Sequence, residues 1–100
     1  MKDVKEAKES FWELIGFIKM SPTRYKILKT LKTHYMVPSE ISKITNTRNN
    51  VISKELKQLK KKRLVECMNE NAKRGRIYKI TPLGDDVLET LDEKFIPPDE

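Results

Sequence analysis

The most informative part of the chain is residues 49–66, N-N-V-I-S-K-E-L-K-Q-L-K-K-K-R-L-V-E. Its apolar residues recur at i, i+4 and i+7, as on one face of a helix: Ile52, Leu56 and Leu59. A rotation of about 100° per residue places amide and ammonium groups on the opposite face: Asn50, Lys54, Lys57 and Lys61. The pattern predicts a helix over residues 48–62, capped by Thr47, with one face in a core and the other in solvent.

Two more helices are predicted before this segment. Ser21-Pro22 combines an N-cap residue with proline at the first helical position, and the helix that follows extends to about His34. Its inward residues are predicted to be Tyr25, Ile27, Leu28 and Leu31. After a short extended link, Met36 and Val37, the second of these helices opens at Pro38-Ser39-Glu40 and ends at Thr45-Asn46, with Ile41 and Ile44 on its buried face.

A hairpin and a last helix are predicted after the helix over residues 48–62. Residues 64–68 and 76–80 have the composition of strands, and the polar segment 69–75 between them predicts a turn with a basic tip. Thr81-Pro82 then starts a helix that extends to about Lys94. Its acidic residues are expected to form a solvated face: Asp85, Asp86, Glu89, Asp92 and Glu93.

The order of these segments resembles the winged helix-turn-helix superfamily, specifically the MarR-like and ArsR-like bacterial and archaeal regulators. Four stretches carry the resemblance: S-P-T-R-Y-K-I-L-K-T-L (21–31), P-S-E-I-S-K-I-T (38–45), residues 49–66, and K-R-G-R-I-Y-K-I-T-P-L-G (73–84). Arg63 departs from the pattern, because these regulators usually have glycine before the first wing strand. The resemblance implies a mainly α fold with a small β-hairpin wing, and a regulator of transcription that is not an enzyme.

We therefore expect three regions along the chain. Residues 21–81 would form the winged-helix DNA-binding domain, and residues 82–100 the C-terminal helix and tail. Residues 1–20 would contain a helix over residues 3–20, with Val4 and Ala7 among its apolar positions. Trp12 and Phe17 widen the apolar surface of that helix beyond one stripe, which favours a homodimer built on the terminal helices; the alternative is a monomer whose first helix covers its own core.

The charge of the chain is concentrated in its middle third. Residues 47–80 carry eleven Lys or Arg and three Asp or Glu, a net charge of +8, whereas residues 81–100 have a net charge of −6. A cationic block of this kind suits a phosphate backbone, although a solvated Lys-rich face has the same composition.

The predicted interface is double-stranded DNA, with helix 48–62 in the major groove and wing 69–76 on the backbone or in the minor groove. Base reading is assigned to the start of that helix: Arg48, Asn49, Asn50, Ser53 and Lys54, with Lys57 on the same exposed face. Ser39 and Thr47 at helix starts suit phosphates, and the wing would contribute Lys73, Arg74 and Arg76.

Other functions are weaker candidates. A winged-helix module that binds protein would have apolar groups on the exposed face of helix 48–62, and RNA binding would favour an exposed aromatic platform. One cysteine and one histidine cannot supply a four-ligand zinc site, so no metal or other cofactor is expected. Cys67 suits a small structural residue in a cytoplasmic protein, and no apolar stretch is long enough to span a membrane.

Overall fold

The computed structural model describes residues 10–94, which form five helices and a two-stranded antiparallel sheet. The elements are α1 (Phe11–Lys19), α2 (Pro22–Thr33), α3 (Pro38–Thr45), α4 (Asn49–Lys61), β1 (Val65–Cys67), β2 (Tyr78–Ile80) and α5 (Pro82–Lys94). Between residues 10 and 94, no helix has the length and apolar character needed to cross a bilayer. The five helices and the antiparallel hairpin confirm the predicted mainly α fold with a β-hairpin wing.

The helix α1 begins after Ser10, whereas the sequence predicts one continuous helix over residues 3–20. Ser10 is extended (φ −67°, ψ 155°), and its hydroxyl accepts a hydrogen bond from the Glu13 amide at 3.1 Å. The Glu13 carboxylate in turn accepts from the Ser10 amide at 3.1 Å, which completes a capping box. A continuous helix through Ser10 is wrong for this reason, and the predicted positions Val4 and Ala7 lie outside the described residues.

Of the other predicted helix caps, those at Ser21 and Thr81 are confirmed and the one at Thr47 is not. The Ser21 hydroxyl accepts from the Arg24 amide at 3.3 Å, and the Thr81 hydroxyl accepts from the Gly84 amide at 3.0 Å, as the Ser-Pro and Thr-Pro pairs predict. The cap at Thr47 is wrong. Arg48 occupies the N-cap position of α4 without a side-chain cap, because the Thr47 hydroxyl donates instead to the Thr45 carbonyl at 3.1 Å.

The turn between α3 and α4 is closed by short-range hydrogen bonds. Asn46 adopts a left-handed conformation (φ 55°), which asparagine tolerates better than most residues. The Thr47 amide donates to the Ser42 carbonyl at 3.0 Å, and the Ser42 hydroxyl donates to the Thr47 carbonyl. These bonds fix the direction in which α4 leaves the turn.

Buried apolar side chains from all five helices and both strands form one core. Leu14, Ile15 and Ile18 of α1 belong to it, as do Val87, Leu88 and Leu91 of α5. On α3, Ile41 is buried as predicted, but Ile44 is 60% exposed. Thr45 takes the second buried position, because its hydroxyl donates to the Ile41 carbonyl at 2.7 Å and so loses little on leaving water.

The hairpin is shorter than predicted and is joined to a third extended segment. Val65 pairs with Ile80 and Cys67 with Tyr78 in antiparallel register. Met36, in the predicted extended link, exchanges backbone hydrogen bonds with Tyr78 at 2.9 and 3.1 Å. The end of β2 that lies nearest the turn is thus hydrogen-bonded to the chain between α2 and α3.

Two backbone positions connect α4, the hairpin and α5. Arg63 has φ 65°, the left-handed conformation that glycine adopts without strain, so the departure from glycine at this position leaves the turn itself intact. Gly84 lies against the Leu64 carbonyl oxygen, which a Cβ at residue 84 would approach to 2.2 Å. Glycine is therefore required where α5 crosses the start of β1.

Three of the five acidic residues of α5 are exposed as predicted, namely Asp86, Glu89 and Glu93, whereas Asp85 and Asp92 are half-buried. Three of the five also pair with α2. Asp85 and Glu89 pair with Lys32 of α2 at 2.5 and 3.5 Å. Asp92 accepts from Lys29 at 2.8 Å and from the Tyr25 hydroxyl at 2.6 Å. These contacts form because α5 packs along α2, which carries the matching cations.

Candidate nucleic-acid interface

The outer face of α4 is polar and exposed, as its sequence predicts. Ile52, Leu56 and Leu59 are fully buried and hold the helix on the core. The opposite side presents the predicted residues to solvent: Asn49, Asn50, Ser53, Lys54 and Lys57. Amide, hydroxyl and ammonium groups therefore occupy one side of a helix whose position is set by packing.

The two predicted phosphate contacts at helix starts differ in the structure. Ser39 is exposed in the first turn of α3, whereas Thr47 is half-buried with its hydroxyl engaged by the Thr45 carbonyl. Arg48 is exposed at the N-cap of α4, and no side chain caps the first turn of this helix. Its first amide groups are therefore open to an external acceptor, such as a phosphate oxygen.

The wing turn has a defined conformation that is built around Asn69. The side-chain Oδ1 of Asn69 accepts from the Ile77 amide at 2.7 Å, and its Nδ2 donates to the Gly75 carbonyl at 3.1 Å. Gly75 is left-handed (φ 65°), and Arg76 Nε donates to the Ala72 carbonyl at 2.8 Å. Arg76 is consequently half-buried and partly engaged in the wing, unlike the exposed Lys73 and Arg74.

A cleft of about 340 Å³ lies between α4 and the wing. It brings together five of the eleven predicted interface residues: Ser53, Lys57, Lys73, Arg74 and Arg76. Pro38, Gly75 and Tyr78 complete the lining. Residues that are about 20 positions apart in sequence thus form one cationic groove, whereas Ser39, Thr47 and the first turn of α4 lie outside it.

Two lysines of the basic block are held in ion pairs. Lys60 of α4 contacts Glu70 of the wing turn at 2.8 Å, and the hydrogen bond to Glu70 raises the pKa of Lys60. Lys79 contacts Glu66 at 3.3 Å across the hairpin, where the two residues are register partners. These lysines therefore contribute less free charge to the groove than their number in the sequence indicates.

Sequence analysis missed the contacts that position this surface. The Arg24 guanidinium lies 3.9 Å above the Phe17 ring and donates to the Phe17 carbonyl at 2.9 Å and to Glu55 of α4 at 2.8 Å. Neither this pair nor Lys60–Glu70 follows a local spacing rule, so no sequence signal identifies them. Asn69 had a weak signal, because asparagine is common in turns, but Asn71 had the same signal.

Within residues 10–94 there is little support for metal binding or for a reactive cysteine. This part of the chain contains no group of three or more His, Cys, Asp or Glu residues that could hold a metal ion. Cys67 is buried in β1, with its thiol 3.5 Å from the Asn69 Oδ1 atom, in keeping with the predicted structural role.

Comparison with known proteins identifies the helix-turn-helix. Residues 21–66 match the family model described as bacterial regulatory protein, arsR family. This segment covers α2, α3, α4 and the start of β1. No curated protein sequence is significantly similar to the chain.

Several solved structures with the same fold are described as transcriptional regulators or possible regulators. A mutant of MarR from E. coli in complex with operator DNA superposes with a TM-score of 0.67 at 24% identity, covering 81% of this chain and 59% of MarR. A fragment of a possible transcriptional regulatory protein from Mycobacterium bovis gives 0.66 at 24% identity and covers 90% and 92%. A possible transcriptional regulator for arsenical resistance gives 0.61 at 23% identity and covers 78% and 79%.

The chain spans about half to six-tenths of the length of the MarR structures, 50% of one MarR family regulator and 59% of E. coli MarR. At identities below 25% the structural likeness establishes the fold alone, and the match to the family model covers less than half of the chain. The chain has a winged helix-turn-helix fold like that of MarR regulators, and residues 21–66 match the ArsR-family model.

Proposed function

We propose that this protein binds double-stranded DNA in a sequence-specific manner and regulates transcription in the cytoplasm. In this proposal α4 enters the major groove, where Asn49, Asn50 and Arg48 meet base edges. The wing lies on the adjacent backbone or minor groove. E. coli MarR, whose fold is similar, has been solved with operator DNA, which supports the choice of ligand.

The observation that carries the proposal is the groove between α4 and the wing. Lys57 on the helix and Lys73, Arg74 and Arg76 on the wing line one cleft of about 340 Å³. Four cationic side chains in one groove repel each other unless an anion lies between them. A phosphate backbone that passes along this cleft would let α4 reach the bases beside it.

The contrast in charge between α5 and the middle third of the chain also supports this orientation. Acidic residues of α5 are paired with Lys29 and Lys32 of α2, so their charge is directed to α2. Residues 47–80, by contrast, carry the net charge of +8. A polyanion would therefore approach from the side of α4 and the wing.

The alternative of a protein-binding module has less support. The exposed side of α4 is amide, hydroxyl and ammonium, with its apolar residues Ile52, Leu56 and Leu59 buried. Among residues 10–94, the large exposed aromatic side chains are Trp12 and Tyr35, and neither lies on α4 or the wing. Met68, next to the wing turn, is 46% exposed, but one side chain forms neither the extended apolar patch of a protein interface nor the stacking platform of single-stranded RNA binding.

We also propose a homodimer that uses α1. Most of its apolar residues cover the core of the same chain, as Leu14, Ile15 and Ile18 are buried. Trp12 is nevertheless 60% exposed, and Met20, which follows the helix, is 79% exposed. A two-fold dimer would place two α4 helices about 34 Å apart, one turn of DNA, and would favour a nearly palindromic site.

The DNA proposal is tested by fluorescence anisotropy with a duplex selected from a random pool. If about 6 phosphates are contacted, affinity falls on the order of 10³-fold between 50 and 200 mM salt. Replacing Arg74 with alanine should weaken binding to every duplex and lower the salt slope by about 1. Binding that is insensitive to salt, or no binding to duplex at low salt, contradicts the proposal.

The dimer proposal is tested by light scattering at micromolar concentration. Trp12→Gln should lower the mass from dimer towards monomer, while Tyr35→Gln, at an equally exposed aromatic residue 57% open to solvent, should not. Phe17 is avoided because Arg24 covers its ring. A monomeric mass for the unaltered protein rules out the dimer.

A further inference from the structure

Asn69 makes more defined contacts than any other side chain of the wing turn. Its Oδ1 accepts from the Ile77 amide at 2.7 Å and from the Cys67 thiol at 3.5 Å. Its Nδ2 donates to the Gly75 carbonyl at 3.1 Å. These partners determine which amide atom is oxygen and which is nitrogen, since an amide and a thiol donate while a carbonyl accepts.

The backbone of Asn69 takes part in the same network. Its carbonyl accepts from the Ala72 amide at 2.9 Å, and the Ala72 carbonyl accepts from Arg76 Nε at 2.8 Å. Lys73 and Arg74, the exposed cations of the wing, therefore lie between two points, Ala72 and Gly75, that are both hydrogen-bonded through this network. Removing the Asn69 side chain frees one end of the segment that carries them.

We propose that Asn69 is a positioning residue that holds Lys73 and Arg74 at the groove without contacting DNA itself. This inference rests on the proposed function for its effect on affinity. The turn between two short strands has few backbone bonds of its own, and ordering the two cations in advance lowers the entropic cost of contacting phosphates. Asn69→Ala removes this order while leaving every charge in place.

The first test compares two asparagines of the same turn. Asn69→Ala should weaken binding to the selected duplex about tenfold at constant salt. Asn71→Ala is the matched control, because Asn71 is exposed and its side chain makes no hydrogen bond within the described residues; its affinity should stay within about twofold of wild type. Equal affinities for the two variants would overturn the proposal.

The second test separates positioning from general destabilisation. In a background with Lys73→Ala and Arg74→Ala, adding Asn69→Ala should change affinity less than about twofold, because the cations that it positions are gone. A loss through general destabilisation would persist in that background at its full tenfold size. Such a result would contradict the assigned role.

The third test needs no DNA. Amide hydrogen exchange at Ile77, whose N–H donates to Asn69, should be at least about tenfold faster in Asn69→Ala than in wild type and Asn71→Ala. Unchanged exchange at Ile77 would show that Asn69 does not order the wing. Failure of the unaltered protein to bind any duplex would instead contradict the proposed function. That failure is measured on the wild type alone, so it is distinguishable from any effect of the Asn69 variant.

Discussion

Arg24 donates from Nε to the Glu55 carboxylate at 2.8 Å, an ion pair whose side chains are only 19% and 15% exposed. The same guanidinium donates from Nη1 to the Phe17 carbonyl of α1 at 2.9 Å. One side chain of α2 thus connects the first helix to α4, the helix proposed to contact bases. The position of α1 and the position of α4 are linked through Arg24.

Arg24→Ala should therefore lower the free energy of unfolding by about 2 kcal/mol, because it strands the Glu55 carboxylate and uncovers the Phe17 ring. The measurement is urea unfolding followed by circular dichroism. Lys26→Ala, on an exposed side chain of the same helix, is the control and should change stability by less than about 0.5 kcal/mol. A similar loss in both variants would contradict the structural role of Arg24.

Asn50→Ala should reduce discrimination between the selected duplex and a random one by about 1–3 kcal/mol, with little change in binding to the random duplex. Asn50 is exposed in the first turn of α4, and its amide matches the adenine edge in the major groove. Competition anisotropy with the two duplexes gives the ratio. Lys61→Ala is the control at the other end of the helix, and equal losses on both duplexes would make Asn50 a non-specific contact.

Asp92 should give the fold an acid-sensitive contribution. Burial tends to raise the pKa of Asp92, but the hydrogen bonds from Lys29 and Tyr25 outweigh it and lower the pKa below the ordinary 3.8. A carboxyl group whose pKa is lowered on folding stabilises the protein above its unfolded pKa, and this contribution is lost as pH falls through the folded value.

Asp92→Asn should therefore destabilise the protein by about 1 kcal/mol at pH 6, and the difference from wild type should shrink as the pH is lowered from 4 towards 2. Asp86→Asn removes the same charge from an exposed residue of α5 without a partner among the described residues, and it serves as the control. Thermal unfolding across this pH range measures both. A difference for Asp92→Asn that is independent of pH is the contrary outcome.

Arg63→Gly should raise the free energy of unfolding by about 0.5–1 kcal/mol, because glycine adopts φ 65° without the strain that a Cβ brings. Gly75→Ala provides the reciprocal test at the same φ, and it should lower stability by about 1 kcal/mol although nothing lies within 4 Å of the new Cβ. Chemical denaturation at neutral pH measures both. A loss of stability in Arg63→Gly, or a gain of stability in Gly75→Ala, would contradict this account of the strain.

Helical periodicity predicted most of the fold, because the buried residues of α2, α4 and α5 recur at regular intervals around one core. Errors arose where a local polar contact outweighs the periodicity. The capping box of Ser10 and Glu13 begins α1 after Ser10, and the Thr45 hydroxyl takes the buried place expected for Ile44. Such contacts depend on side-chain geometry that a pattern of apolar residues does not contain.

The candidate interface was predictable in composition but not in arrangement. Exposure of Asn50, Lys54 and Lys57 follows from rotation about α4. The cleft that joins α4 to the wing depends on how the hairpin packs, and the engagement of Arg76 by the Ala72 carbonyl depends on the turn conformation. Both are long-range or turn-specific features, for which the sequence has no repeating signal.

The two hydrogen bonds between Met36 and Tyr78 have a mechanical consequence for the wing. They hold the hairpin at the turn-side end of its paired strands, so that bending is restricted to the turn between Cys67 and Tyr78. A hairpin held in this way does not move outward to follow a groove of different width. The distance between α4 and the wing therefore stays constant. If α4 and the wing bind a duplex as proposed, a groove that does not match that distance has to deform, so flexible base steps at positions the protein never touches should influence which sites it occupies.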